Sequence, residues 1–315
     1  MRKYFVTGFY LLIIGGILLL GGILLGANTS VVWDHGFKVA QKVDETYPLN
    51  SFKNVYVEGQ DANVNFKLGD RYKIHIDGDK SQAPSYKVKK DTLTINTLTI
   101  NGKKNNKHVG VNVLGHVKVT ITIPMNKTLD NVNLRLANGT VNINDVTINN
   151  LVKTAKDMDY DANLYITDAT INNLEKINLY DATFNVANSK INNMTLVASQ
   201  YSDVIMKNST LVKTSINLNE STLKVKQSNL DTMNSLANHS RITMDKVVFM
   251  NKNDFRLFSN GHFTGSDVTA DGLDLTTADG VVRVMDKNYG HEYQNKVDAS
   301  NLLSVKATKG SITMK

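Results

Sequence analysis

The residues able to do chemistry are few and scattered. Asp157-Met158-Asp159-Tyr160-Asp161 opens like a calcium loop, with carboxylates at alternate positions. An EF-hand loop also needs a turn glycine and a distal glutamate. Neither stands at the required spacing, so a charged turn is expected there. Glycan-cleaving enzymes need two carboxylates facing one groove, or a metal with a base. Asp168 and Asp181 are the nearest approach to such a pair, and each fits a turn position. Arg135, Arg241, Arg256 and Arg283 fall in different segments. The seven histidines, His75, His116, His239 and His262 among them, show no His-x-x-x-His metal spacing. His239 and His262 read as equivalent turn positions in successive segments. No Gly-x-Ser-x-Gly elbow appears, and with 0 Cys neither disulfides nor cysteine-ligated zinc can form. The expectation is a protein that is not an enzyme, with no catalytic, cofactor-binding or metal residues and no cofactor.

The elements that would have to position these residues are more legible. NGTVNI at 138–143, DANLYI at 161–166, DATFNV at 181–186, YSDVIM at 201–206, ESTLKV at 220–225, HSRITM at 239–244, NGHFTG at 260–265 and DGVVRV at 279–284 repeat one pattern, and KGSITM at 309–314 fits it. Their first apolar residues are Val141, Leu164, Phe184, Val204, Leu223, Ile242, Phe263 and Val281, in steps of 23, 20, 20, 19, 19, 21 and 18. A second ladder follows in step: Ile148, Ile171, Ile191, Leu211, Leu230, Phe249 and Val268. Such a period marks a solenoid. Alternation within each run puts apolar side chains on one face, and only a neighbouring unit can cover that face. The fold class expected is all-β: a single-stranded parallel β-helix (β-solenoid) of about 20-residue coils, preceded by one transmembrane helix. A leucine-rich repeat shares the period but needs a Leu-x-x-Leu-x-Leu consensus, which is not evident.

Turn residues recur with the same step. Asn149-Asn150, Asn172-Asn173 and Asn192-Asn193 align, as do Asp145, Asp168, Asn188 and Asn208. Asn and Asp tolerate left-handed backbone, and stacked amides can bond along the axis. Tyr160, Tyr180 and Tyr201 align as a third set, read as a stacked aromatic row.

Tyr4 to Ala27 carries no charge and is long enough to cross a bilayer. Its apolar run exceeds that of an ordinary signal peptide. The domain reading is therefore 1–29, a cytoplasmic stub and transmembrane signal anchor; 30–50, a connector containing Trp33; and 51–315, a β-solenoid, with opening strands over 51–125 and regular coils over 126–315. The location expected is the cell membrane, single-pass, with the bulk of the chain extracellular. The net charge of +7 raises nucleic acid as a partner, but no motif or arginine cluster supports it.

One passage carries a family likeness. Val117 to Pro124 alternates cleanly and ends in Ile-Pro. Leu129-x-x-Val132-x-Leu134 follows, then Asn138-Gly139-Thr140-Val141-x-Ile143. With the segment at 55–78, this resembles the bacterial putative-adhesin β-solenoid family, over about residues 50–315. The resemblance implies a cell-envelope domain and a surface location, and it supplies no catalytic residues. Few glycines and many Asn-Asn turns set this chain apart, so irregular coils are expected near Asp254–Leu257 and Asn288–Asn301. The function expected is a non-catalytic, adhesin-like or envelope-binding module. Its expected partners are the membrane, through one helix, and anionic cell-wall polymers or surface glycans, with no nucleic acid. The rival classes are a polysaccharide-active β-helix enzyme and an accessory of an envelope-stress response.

Overall fold

The computed structural model describes residues 2–24, 31–33, 37–39, 41–97, 99–100, 103–104, 108–109, 117–154 and 162–315. One helix, Arg2–Leu24, is followed by strands. The helix holds an apolar span, Tyr4–Gly22, long enough to cross a membrane and not buried against any of the described residues. The rest is mostly β and solenoid-like.

The ladders read from the sequence become columns of paired residues. Val141 pairs with Leu164, Leu164 with Phe184, Phe184 with Val204, Val204 with Leu223, Leu223 with Ile242 and Ile242 with Phe263, all in parallel register. Ile148, Ile171, Ile191, Leu211, Leu230 and Phe249 form the second column in the same way. A third inward column, not legible as a ladder, runs Ile177, Leu196, Ile216, Ser235 and Phe255. Each coil therefore has three walls. The apolar members of these columns are buried, and each such side chain contributes roughly 1.5–3 kcal/mol through burial.

Three bends per coil close the triangle, and from Asp168 to Asn260 each is made by a residue in the left-handed region. In one coil these are Asn208 (φ 50°), Lys213 (φ 51°) and Glu220 (φ 50°); in the next, Gln227 (φ 50°), Thr232 (φ 59°) and His239 (φ 47°). The aligned set Asp145, Asp168, Asn188 and Asn208 has φ of 59°, 53°, 51° and 50°. The amide ladder forms too. Asn131 donates to Asn54 (2.7 Å), Asn150 to Asn131 (3.1 Å) and Asn173 to Asn150 (3.1 Å), while Asn172 donates to Asn149 (2.9 Å).

The two ends depart from the parallel pattern, so the sheet is mixed. Asn54–Gly69 already stacks as a coil beneath Thr128–Asn144, with Val64 opposite Val141 and Phe66 opposite Ile143. Val117–Pro124 and Thr92–Asn96 lie parallel on its other edge. Antiparallel strands then close that end: Lys73–Asp79 on Val117–Pro124, Lys42–Pro48 on Lys73–Asp79 and Ser85–Lys89 on Thr92–Asn96.

At the other end, chain order and stacking order part. Phe263 pairs with Ile312, and Ile312 pairs on its other side with Val282. The last strand, Leu302–Met314, thus lies between the coil of Lys252–Phe258 and Gly261–Ser266 and the strand Gly272–Val284. The expected step from Phe263 to Val281 is corrected twice: Ile312 intervenes, and the buried residue is Val282. Val268 also leaves its ladder, because Val248 bridges to Thr269, which sets Phe249 level with Ala270. Asp254–Leu257 pairs regularly with Asn234–Ala237, contrary to expectation. Beyond it, Glu292–Asn295 caps Gly272–Val284 in antiparallel fashion.

These columns predict sharply different costs on neighbouring residues. Ile191→Asp would bury an unpaired charge and should cost on the order of 4 kcal/mol or more. Asn185→Asp, on the outward face, should stay within about 0.5 kcal/mol. Thr214→Val should raise stability by about 1 kcal/mol, because the Thr214 hydroxyl is buried with no hydrogen-bond partner among the described residues. Thermal melts of the three variants check the inward and outward assignments together.

Candidate functional site

One corner of the stack is built from a repeated triplet. Its first residue takes left-handed backbone and points out. Its second is small and turns inward. Its third begins the next strand and points out again. The small residue recurs as Gly139, Ala162, Ala182, Ser202, Ser221, Ser240 and Gly261. A Cβ on Gly139 (φ 91°) would come within 2.2 Å of the Ala62 carbonyl oxygen, so the corner has no room there. The serines are buried and tie coil to coil. Ser221 N–H donates to Ser240 Oγ (3.1 Å), while Ser240 Oγ donates to the Asn238 carbonyl (2.7 Å).

A column without bulk between two outward columns leaves a groove. Its volume is about 440 Å³, and it is lined by Tyr201, Glu220, Ser221, Thr222, His239, Ser240, Arg241, Asn260 and His262. The left-handed positions in successive coils are Tyr201 (φ 64°), Glu220 (φ 50°), His239 (φ 47°) and Asn260 (φ 64°). The strand-side column runs Thr183, Asp203, Thr222, Arg241, His262 and Ser311. Successive coils in such a ladder are about 4.8 Å apart.

Elsewhere this corner uses Asp61, Asn138 and Asp181, which tolerate left-handed backbone. Tyr201, Glu220 and His239 break that rule in three consecutive coils. A bulky residue there is strained by on the order of 1–3 kcal/mol, and Tyr201 is 77 % exposed, so packing does not compensate it. Thr222 Oγ1 donates to the Asp203 carboxylate. His262 Nδ1 lies 2.9 Å from Ser311 Oγ, which orients the ring. Arg71, Arg135 and Arg256 each meet a carboxylate, whereas Arg241 has no ion pair among the described residues.

The residues singled out from the sequence are dispersed. Asp157–Asp161 and His116 lie outside the described residues, as does Tyr160. Asp168 and Asp181 sit at different corners, with φ of 53° and 48°. Tyr180 is level with Ser199, whereas Tyr201 occupies the corner in line with Asp181, so these two tyrosines do not form a stacked row. His262 is level with Arg241 on a strand, not with His239 at the turn. His75 Nδ1 is 2.9 Å from Thr46 Oγ1, near the opposite end. Among the described residues no cluster of three or more His, Asp or Glu could hold a metal ion. The His262–Ser311 pair has no carboxylate on the ring's other nitrogen among the described residues, so it lacks the third member of a triad. The groove itself was missed. The signal that could have found it is the loss of Asp or Asn from the triplet at Tyr201, Glu220 and His239.

Fold and site together define a mostly-β, solenoid-like protein with an apolar N-terminal helix and a polar corner groove. Residues 52–315 match the family model described as Toastrack DUF4097, and the chain belongs to that family. Among solved structures, a putative adhesin from Parabacteroides distasonis is 12% identical, with 87% of this chain and 97% of that one covered and a TM-score of 0.47. A putative adhesin from Bacteroides fragilis is 14% identical over the same shares, with a TM-score of 0.39. A putative lipid binding protein from Parabacteroides distasonis is 9% identical, again over 87% and 97%, with a TM-score of 0.40. No curated protein matches the chain.

The strain at this corner yields a stability prediction. Tyr201→Asn should raise stability by about 1 kcal/mol, because Asn tolerates the φ that Tyr resists. A fall in melting temperature would show that the tyrosine ring supports the fold and is not held there for another purpose.

Proposed function

We propose that this protein is a non-catalytic, extracytoplasmic binding module held at the cell membrane by its N-terminal helix, with an adhesin-like or envelope-binding role. Residues 1–29 form the inner stub and anchor, 30–50 the connector, and 51–315 a parallel β-solenoid of about 20-residue coils with closed ends. The observation that carries the reading is the corner groove, where strained, exposed side chains stand on a rigid stack. Rigid scaffolds presenting exposed polar and aromatic side chains suit recognition. The apolar span Tyr4–Gly22 supports the anchor, and the charge of Arg2 and Lys3 supports an inner amino terminus.

Two measurements test this. Protease added to intact cells should remove the bulk of the chain; protection of 51–315 until lysis overturns the topology. The purified full chain in detergent should co-sediment with isolated cell envelopes and should not turn over pectin, alginate, hyaluronan or peptidoglycan. Failure to sediment, or cleavage of any of these polymers at an ordinary enzymatic rate, overturns the binding-module reading.

A further inference from the structure

We propose that the corner groove binds a linear glycan carrying acid groups, carboxylate or phosphate, laid along the stacking axis. The proposal rests on the binding-module reading above and names the chemistry of its ligand. Three features of the groove converge on that class.

The first is an aromatic platform. Tyr201 is 77 % exposed at the edge of the groove. A flat amphipathic ring offers its face to the apolar C–H face of a pyranose while its hydroxyl stays wet. The second is an uncommitted cation. Arg241 projects from the strand-side column with no carboxylate partner among the described residues, and a guanidinium fork pairs carboxylate and phosphate oxygens in bidentate fashion. Among the described residues the only acid in its own column is Asp203, two coils away, which already accepts from Thr222; Glu220 stands on the facing rail one coil away and makes no ion pair with it. His239 and His262 stand on either side of Arg241, in the two columns that border the groove. Glu220, Asn260 and Thr222 supply acceptors and donors for sugar hydroxyls.

The third feature is direction. Tyr201, Glu220, His239 and Asn260 succeed one another coil by coil, and so do Thr222, Arg241 and His262. The groove therefore runs along the axis and presents a new pair of side chains at each coil. A polymer extended along it meets the Tyr201 ring, then Glu220 and Thr222, then Arg241 two coils from the ring, whereas a single sugar cannot reach both the ring and the guanidinium.

The test uses the full chain in detergent micelles and isothermal titration calorimetry at low salt. The probes are an oligogalacturonate, a phosphomannan oligosaccharide, a neutral cello-oligosaccharide of equal length, galacturonic acid alone and single-stranded oligothymidylate. At least one acidic oligosaccharide should bind, at least tenfold more tightly than the neutral oligomer and the monomer; which of the two acids is preferred assigns carboxylate or phosphate. Arg241→Gln and Tyr201→Ala should each weaken binding tenfold or more, and Tyr201→Phe should retain most of it. Lys207→Ala, an exposed charge at another corner, should change nothing. Equal binding of the neutral oligomer, equal binding of oligothymidylate with the same Arg241 dependence, or indifference to Tyr201→Ala overturns the proposal. If no acidic glycan binds while the full chain still sediments with envelopes, this inference falls and the binding-module reading stands. If sedimentation fails as well, both fall.

Discussion

The whole stack depends on turning the backbone three times per coil without breaking the hydrogen-bond ladder. A parallel coil must keep every residue level with its equivalent above and below, because the ladder supplies the partners for its N–H and C=O groups. The left-handed corner residues meet this demand. Asp168 N–H donates to the Ala187 carbonyl (3.1 Å), Asn188 to Lys207 (3.0 Å), Asn208 to Lys226 (3.1 Å), Gln227 to Asp245 (2.8 Å) and Lys246 to Ser266 (2.9 Å). The bend thus occurs inside the ladder, and corner conformation, coil length and wall register become one constraint. Small residues after the bend follow from it, since the next coil's backbone passes within van der Waals reach.

A stack held by its ladder has two exposed ends, and an exposed strand edge invites another chain. Both ends here are finished with antiparallel strands. At the first, Lys73–Asp79 and Lys42–Pro48 cover Val117–Pro124; at the second, Glu292–Asn295 covers part of Gly272–Val284. The second end is also built out of sequence, with Leu302–Met314 inserted between coils that precede it in the chain. Phe255 packs against Phe249 and Phe263 just beneath that strand, at ring centroid distances of 6.1 Å and 5.3 Å. Three buried phenylalanines therefore meet where the winding order changes.

The groove is a by-product of the same corner rule. Because the middle residue of the triplet must be small, the residues on either side stand as two rails with a shallow floor between them. Where the outer residue is Asp or Asn, the corner serves the backbone. Tyr201, Glu220 and His239 serve it less well, and the ladder above and below holds them in place. Rigidity set by many coils is what lets corner positions, here and at Lys213, Gln227 and Thr232, carry side chains other than Asp and Asn in left-handed backbone.

The period, the apolar columns from Val141 to Phe263 and the Asp and Asn corners were legible in the sequence, as was the apolar helix. Each is a local property repeated: alternation sets which face a residue takes, and a constant step sets which residues are equivalent. The ends were not legible, because alternation says which way Val281 or Val282 points only if the register is known, and a step of 18 does not reveal that Ile312 has entered the column. Nor was the groove. Arg241, His262 and Ser311 are neighbours only because parallel coils bring them level, and Tyr201 reads as part of a tyrosine row until pairing places it at the corner with Asp181. Sequence determined the repeat, since the repeat is written in every coil; only the tertiary structure decided which coil lies against which, since hydrogen-bond partners are chosen in space and not along the chain.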